Sequence, residues 1–171
     1  MDKQKQYLFH QTPVTLAIDL IKEVPLVDND IVLEPFKGEG VFYDNFPNNI
    51  TKEWCEIEQG RDFKSHNSNV DWVISNPPFK LENNGRGKNA FFQILEYFST
   101  RVNKGIAFLG NDYCIASLTP KRMKIINDNG LYLNKVAVCC IKQWRGRYFF
   151  MIFEKVNKNT FTYLSDNYSK E

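Results

Sequence analysis

Asn76-Pro77-Pro78-Phe79 follows directly on the apolar run Asp71-Trp72-Val73-Ile74-Ser75. Two consecutive prolines fix the backbone and remove two N–H donors, so a paired strand cannot continue through them. The first proline also holds Asn76 extended. The segment therefore reads as a stiff corner at a strand end, presenting an amide, bare carbonyls and one aromatic ring in a fixed arrangement. Acceptors for amine hydrogens, beside a ring to stack on, make a receptor for a flat, amino-bearing group.

A second constellation lies upstream, with Gly38 separated from Asn76 by 38 positions. In Glu34-Pro35-Phe36-Lys37-Gly38-Glu39-Gly40 the glycines let the backbone turn tightly and approach a ligand closely. Glu34 and Glu39 flank the turn and no Lys-Ser/Thr pair follows, which excludes a phosphate-cradling P-loop. Carboxylates beside a glycine turn suit a cation-bearing ligand such as an ammonium or a sulfonium. Glu56, 16 residues past Gly40, can accept both hydroxyls of a ribose, with Glu58 as a rival for the role. Asp62 can accept from an adenine amino group, and Phe63 beside it can pack on the ring.

The elements that must position these residues are legible in the pattern. Residues 12–23 place Val14, Leu16, Ala17, Leu20 and Ile21 at helical spacing, with Thr12 suited to the cap and Pro13 to the first turn. Residues 30–34 and 53–57 read as strands ending in carboxylates, with a short helix over 41–46 between them. A strand over 71–75 leads into the diproline corner. A polar loop over 81–88 follows, then a helix capped by Asn89, a strand over 105–109 and a helix over 120–128 that stops at Asn129-Gly130. Two β-rich runs, 131–141 and 148–155, close the pattern. Strands alternating with helices, then a closing pair of strands, predict a mostly parallel sheet with one antiparallel member. In such sheets ligands bind beyond the carboxyl ends of the strands, where the residues named above fall.

Composition narrows the class. The 171 residues, 43% hydrophobic, can bury one core, and residues 1–156 read as a single domain with 157–171 as a polar tail. No apolar run approaches a bilayer span, so no membrane partner is expected, and residues 1–6 lack the apolar core of a secretion signal. Cys55, Cys114, Cys139 and Cys140 form no C-x-x-C pair, and with two histidines they argue against a metal site. They read as small buried residues of a reducing, intracellular (cytoplasmic) setting. Net charge is +2, but residues 1–79 carry −6 and residues 80–150 carry +8. An acidic half joined to a basic half fits a cationic small molecule on one side and a polyanion on the other.

Taken together, these motifs resemble the S-adenosylmethionine-dependent amino-methyltransferases, in particular the N6-adenine branch that acts on nucleic acid. The matching residues are Thr12-Pro13, the 34–40 loop, Glu56, Asp62-Phe63 and Asn76-Pro77-Pro78-Phe79, over roughly residues 7–110. The resemblance implies an α/β Rossmann-like methyltransferase fold: a mostly parallel, seven-stranded sheet with one antiparallel strand and helices on both faces. It implies S-adenosyl-L-methionine as cofactor. Glu34, with the backbone of Phe36 and Gly38 and the turn at Gly40, would hold the methionine part; Thr12 and Pro13 would close over it. Glu56 would take the ribose, and Asp62 with Phe63 the adenine. The family usually has Asp at the position of Glu34, and Lys37 is unusual and placed to pair with the cofactor carboxylate. Asn76, Pro77, Pro78 and Phe79 would form the catalytic corner. Arg86, Lys88, Arg145 and Arg147, with Lys121, Arg122 and Lys124 behind them, would meet nucleic-acid phosphates, DNA ahead of RNA. Rival acceptors on the same fold are adenine or guanine amines in RNA and a glutamine side chain in protein; a non-catalytic nucleic-acid-binding subunit is the alternative of another class. No insert is large enough for a separate sequence-reading domain, so the chain is expected to read a short site or to rely on a protein partner.

Overall fold

The computed structural model describes residues 11–79, 81, 89–142, 144 and 146–162. Its elements run α1 (Val14–Lys22), β1 (Ile31–Glu34), α2 (Val41–Asn45), β2 (Thr51–Trp54), β3 (Val70–Ser75), α3 (Ala90–Ser99), β4 (Val102–Asn111), α4 (Asp112–Ala116), α5 (Pro120–Asp128), β5 (Tyr132–Cys139) and β6 (Tyr148–Glu154). The strands form one sheet in the order β2-β1-β3-β4-β6-β5. β2, β1, β3 and β4 are mutually parallel, and β6 runs antiparallel to both β4 and β5. The single antiparallel member is thus as expected.

Alternation along the strands feeds two cores, one on each face. Val32, Trp72, Ile74, Ala107 and Leu109 point to the face covered by α1 and α2, where Ala17, Leu20, Ile21 and Phe42 are buried. Leu33, Val73, Ile106 and Phe108 point to the other, beneath Phe91, Ile94, Leu95 and Phe98 of α3 and Met123 and Ile126 of α5. Central strands buried on both faces read as continuous apolar runs, which is why β3 and β4 stood out in the sequence. Gly105 of β4 is required by a neighbour. A Cβ there would lie 2.4 Å from the Trp72 ring and 2.3 Å from the Phe153 carbonyl oxygen, so the indole of β3 crosses where β4 has no side chain.

Several expectations are corrected. Among the described residues the sheet has six strands, not seven. Residues 55–69, between β2 and β3, supply two short 3₁₀ turns, Ile57–Gln59 and Phe63–Ser65. Acidic, amide and glycine residues punctuate that stretch, and no β-branched run survives. β2 ends at Trp54 rather than at residue 57: the Cys55 N–H still donates to the Glu34 carbonyl at 2.9 Å, but the Cys55 carbonyl accepts from the Lys37 N–H at 3.0 Å, where β1 has already turned into the glycine loop. Thr12 does not cap α1; the cap position is Pro13, with no side-chain bond. Cys55, Cys114 and Cys139 are buried as expected, but Cys140 is exposed, since consecutive residues at a strand end face opposite ways. The segment after β6 begins against the sheet. The Lys158 N–H donates to Asn134 Oδ1 at 3.2 Å and the Thr160 hydroxyl to the Asn134 carbonyl at 2.8 Å, so its start is fastened to the edge strand β5. No helix among the described residues is long and apolar enough to cross a membrane.

Candidate functional site

β1 and β3 are paired and parallel, with Val32 opposite Trp72 and Leu33 opposite Val73. The 35–40 loop and the 76–79 corner therefore leave the sheet side by side, at the spacing of neighbouring strands, about 4.8 Å. The two constellations share one edge.

The glycine loop is held by a dense set of bonds. Gly40 N–H donates to the Lys37 carbonyl at 2.7 Å, and Asp44 N–H to the Gly40 carbonyl at 2.8 Å, which turns the chain into α2. Gly40 sits at φ 87°, and a Cβ there would meet Asp44 Oδ2 at 3.0 Å and Lys37 Cε at 3.2 Å. Glu34, 2% exposed at the end of β1, accepts the Tyr43 N–H at 2.7 Å. Burial pushes its carboxyl up to about 8; nearby Asp44 and Glu56 push the same way, while the Tyr43 N–H and Lys37 oppose them. A cation brought against this buried acid would favour its charged form.

Glu56 lies two residues beyond β2. Its Oε2 accepts the Gly38 N–H at 2.6 Å and its Oε1 the Glu58 N–H at 3.2 Å. The buried Glu56 thus ties the second strand's exit to the glycine turn, whereas its rival Glu58 is exposed. Asp62 caps the following 3₁₀ turn through Lys64 N–H at 3.0 Å. Phe63 is buried, its ring 5.0 Å from Phe36, 5.2 Å from Tyr97 and 5.7 Å from Phe98. Lys37 has an employment that the sequence did not announce. Its ammonium lies 4.9 Å from the Tyr43 ring and 4.6 Å from the Trp54 ring, while the Arg61 guanidinium lies 3.9 Å from the same indole. Cation–π contacts thus hold the loop's lysine against α2 and β2.

At the diproline corner Pro77 is buried, and Asn76, Pro78 and Phe79 are half-buried. Phe79 packs against the cores of both faces, which roots its ring at the sheet end. Asn76 Nδ2 donates to Thr12 Oγ1 at 3.3 Å. That bond turns one end of the amide toward Thr12 and the carbonyl end the other way. The residue next in line, Gln11, donates from its own amide to Glu39 of the glycine loop. Consecutive residues 11 and 12 therefore fasten the glycine loop and the diproline corner to one point. Gln11 carried no signal in the sequence, because its partner is 28 positions away.

The basic residues divide. Arg147 is exposed on this edge, with its backbone N–H donating to Asp112 at 3.2 Å. Arg122 is spent internally: it bonds the Ser117 carbonyl at 2.9 Å and covers the Phe92 ring at 5.0 Å. Lys124 pairs with Asp128 at 2.8 Å, and Lys121 is exposed. Arg86, Lys88 and Arg145 lie outside the described residues. The short helix α4, unforeseen, stands at the end of β4 because Asn111 accepts the N–H groups of Tyr113 and Cys114 at 3.1 and 3.2 Å.

No family model matches the chain, and no curated protein does. Solved structures do. A protein from Listeria monocytogenes assigned to the class I S-adenosylmethionine-dependent methyltransferases superposes with a TM-score of 0.63 at 14% identity, over 90% of this chain and 62% of that one. A modification subunit assigned to a type I restriction enzyme of Vibrio vulnificus gives 0.64 at 11% identity, over 87% of this chain and 45% of that one. The Mtq2–Trm112 complex of E. cuniculi, responsible for methylating the termination factor eRF1, gives 0.56 at 15% identity, over 86% of this chain and 97% of that one. At these identities the likeness establishes a Rossmann-like methyltransferase fold. The chain spans less than two thirds of the length of the first two.

Proposed function

We propose that this chain is an S-adenosylmethionine-dependent methyltransferase whose acceptor is the exocyclic N6 amine of adenine in nucleic acid, DNA ahead of RNA. The observation that carries the reading is the junction at residues 11 and 12, where Gln11 bonds Glu39 of the glycine loop and Thr12 bonds Asn76 of the diproline corner. The buried Glu34 fits the cofactor's cationic amino-acid end, and Glu56 rather than the exposed Glu58 fits its ribose. Phe36 and Phe63, with Asp62, border the place for its adenine. The likeness to a restriction-enzyme modification subunit leans the acceptor toward DNA.

The cofactor would supply an electrophilic methyl group on a sulfonium. The chain's residues do the rest. An adenine amine is a poor nucleophile, because its lone pair is delocalised into the ring. Asn76 Oδ1 and the Pro77 carbonyl each accept one of its N–H bonds, which favours a pyramidal nitrogen and aims its lone pair away from those acceptors. Phe79 holds the plane of the base, which must leave the stack to reach the corner. Alignment, and acceptors already in place for the positive charge that grows on nitrogen, lower the barrier. Methyl transfer to that nitrogen, with the sulfonium's electron pair returning to sulfur, would leave one surplus proton on the amine, which these acceptors hold until it passes to water, so no strong base is needed among the residues of the corner. Thr12 holds the Asn76 amide in the required orientation.

Radiolabelled methyl transfer onto DNA, RNA and protein pools, followed by digestion of the labelled product, tests the reading. Label in N6-methyladenine from DNA is expected. Label in protein alone would move the acceptor to a side-chain amide, and no cofactor binding by calorimetry would remove the enzyme altogether.

A further inference from the structure

A cleft of about 480 Å³ opens between the start of α1, at Gln11 and Pro13, and the connection from β5 to β6, at Cys140, Lys142 and Trp144. That volume lies within the roughly 300–1,000 Å³ typical of small-ligand sites. Neither Asn76 nor any residue of the glycine loop lines it. The wall between this cleft and the diproline corner is the stretch that includes Thr12, the residue that accepts from Asn76. The two compartments are neighbours, one residue apart.

The connection that forms the far wall is braced. Trp144 N–H donates to the Ile141 carbonyl at 3.0 Å, and Arg147 N–H donates to Asp112 at 3.2 Å. The Trp144 ring rests 4.4 Å from that of Tyr148, a buried residue paired with Asn111 at the end of β4. The half-buried indole is therefore set by the sheet, not by a floating loop. Charge points the same way. Residues 136–153 contain Lys142, Arg145 and Arg147 and no acidic residue, whereas Lys135 is paired with Glu23. A prepositioned indole beside an exposed ammonium, on a stretch of one charge sign, has the chemistry of a stacking platform with a phosphate contact.

We infer that this cleft receives a nucleotide flanking the acceptor base in the bound strand, its base against Trp144 and its phosphate at Lys142. The inference rests on the nucleic-acid reading above and adds a second contact point to it. With the acceptor base turned into the corner, the neighbouring nucleotide is held on the other side of Thr12, so the strand straddles residues 11–13. Such a contact reads stacking strength more than base edges, so the preference it creates covers one flanking position and is graded, not strict.

Cys140 gives a direct test, because it is exposed in the cleft while Cys55, Cys114 and Cys139 are buried. The rate of maleimide labelling at Cys140 is measured with the cofactor-loaded chain, alone and with single-stranded 12-mers of DNA or RNA. Oligonucleotide is expected to slow labelling at least fivefold. By fluorescence anisotropy, Trp144→Ala should weaken oligonucleotide binding about five- to a hundredfold, the range of one base–aromatic stack. Lys142→Ala, at an exposed position, should reduce the salt slope by about one, the share of one phosphate contact. Cofactor affinity by calorimetry shows that each variant is folded. Unchanged labelling and unchanged binding in both variants, on an oligonucleotide that is methylated, would overturn the inference and leave the reading standing. Protection of Cys140 by an acidic peptide but by neither oligonucleotide would overturn it in favour of a protein. Cofactor binding with no affinity for either oligonucleotide would overturn both the inference and the reading.

Discussion

Glu34→Gln removes a charge while keeping the shape and an oxygen for the Tyr43 N–H, and its effect on stability is worked out as follows. In the folded chain burial raises the Glu34 carboxyl from 4.5 to about 8. The folded state therefore keeps a proton that the unfolded state releases as pH passes about 4.5. Stability from this group is at its best below that value and falls as pH rises toward about 8, the reverse of a salt-bridged carboxylate. At about 1.36 kcal/mol per pH unit, the interval caps the loss at roughly 5 kcal/mol. For a domain of this size that ceiling corresponds to roughly 10–20 °C in Tm. The variant has no such group, so it should match the wild type at pH 5 and melt well above it at pH 9. Thermal melts of both proteins across pH 5–9, without cofactor, measure the difference. A bound cation reverses the balance by favouring the carboxylate. Calorimetry near pH 7 in buffers of different ionisation enthalpy should then find up to one proton released per cofactor in the wild type and none in the variant. Melting curves that stay parallel from pH 5 to 9 would refute the argument, because they would mean that Glu34 is solvated or already paired.

Asn76→Ala should lower methyl transfer at least a hundredfold while cofactor affinity stays within a few-fold, read by single-turnover labelling beside calorimetry; equal losses in both would make the residue structural. Glu56→Ala deletes the acceptor of the Gly38 N–H and should weaken cofactor binding at least tenfold, whereas Glu58→Ala should change it less than twofold. Gly105→Ala forces a methyl group to 2.3 Å from the Phe153 carbonyl oxygen, and urea unfolding should show a loss of several kcal/mol, in the range of overpacked cores.

How much of this could be read from the residues depends on how local each cause is. β3 and β4 were legible because central strands must be apolar on both faces, α3 because Asn89 caps it within three residues, and α5 because Asn129-Gly130 stops it. The end of β2 was not, since it is set by where β1, a separate segment, turns away into the 35–40 loop. The count of seven strands came from the resemblance and not from the pattern, which holds six strand-like runs, and residues 55–69 keep Phe63 inside by packing on other elements. The corner and the glycine loop were legible as motifs, and the order of parallel strands brought them to one edge. Thr12, read as a helix cap, instead serves a residue 64 positions away. The basic set was the least readable part, because Arg122 and Lys124 find partners that charge counting does not see.

Two loops that the sheet delivers separately are joined by side chains of a dipeptide that belongs to no strand and no helix. Replacing both Gln11 and Thr12 by alanine would leave every described strand and all the buried apolar side chains in place. Spectroscopy of secondary structure would register almost nothing. Yet that variant would have lost the clasp that gives the two loops a shared reference point, so a protein that looks intact would no longer hold the glycine loop and the diproline corner in register.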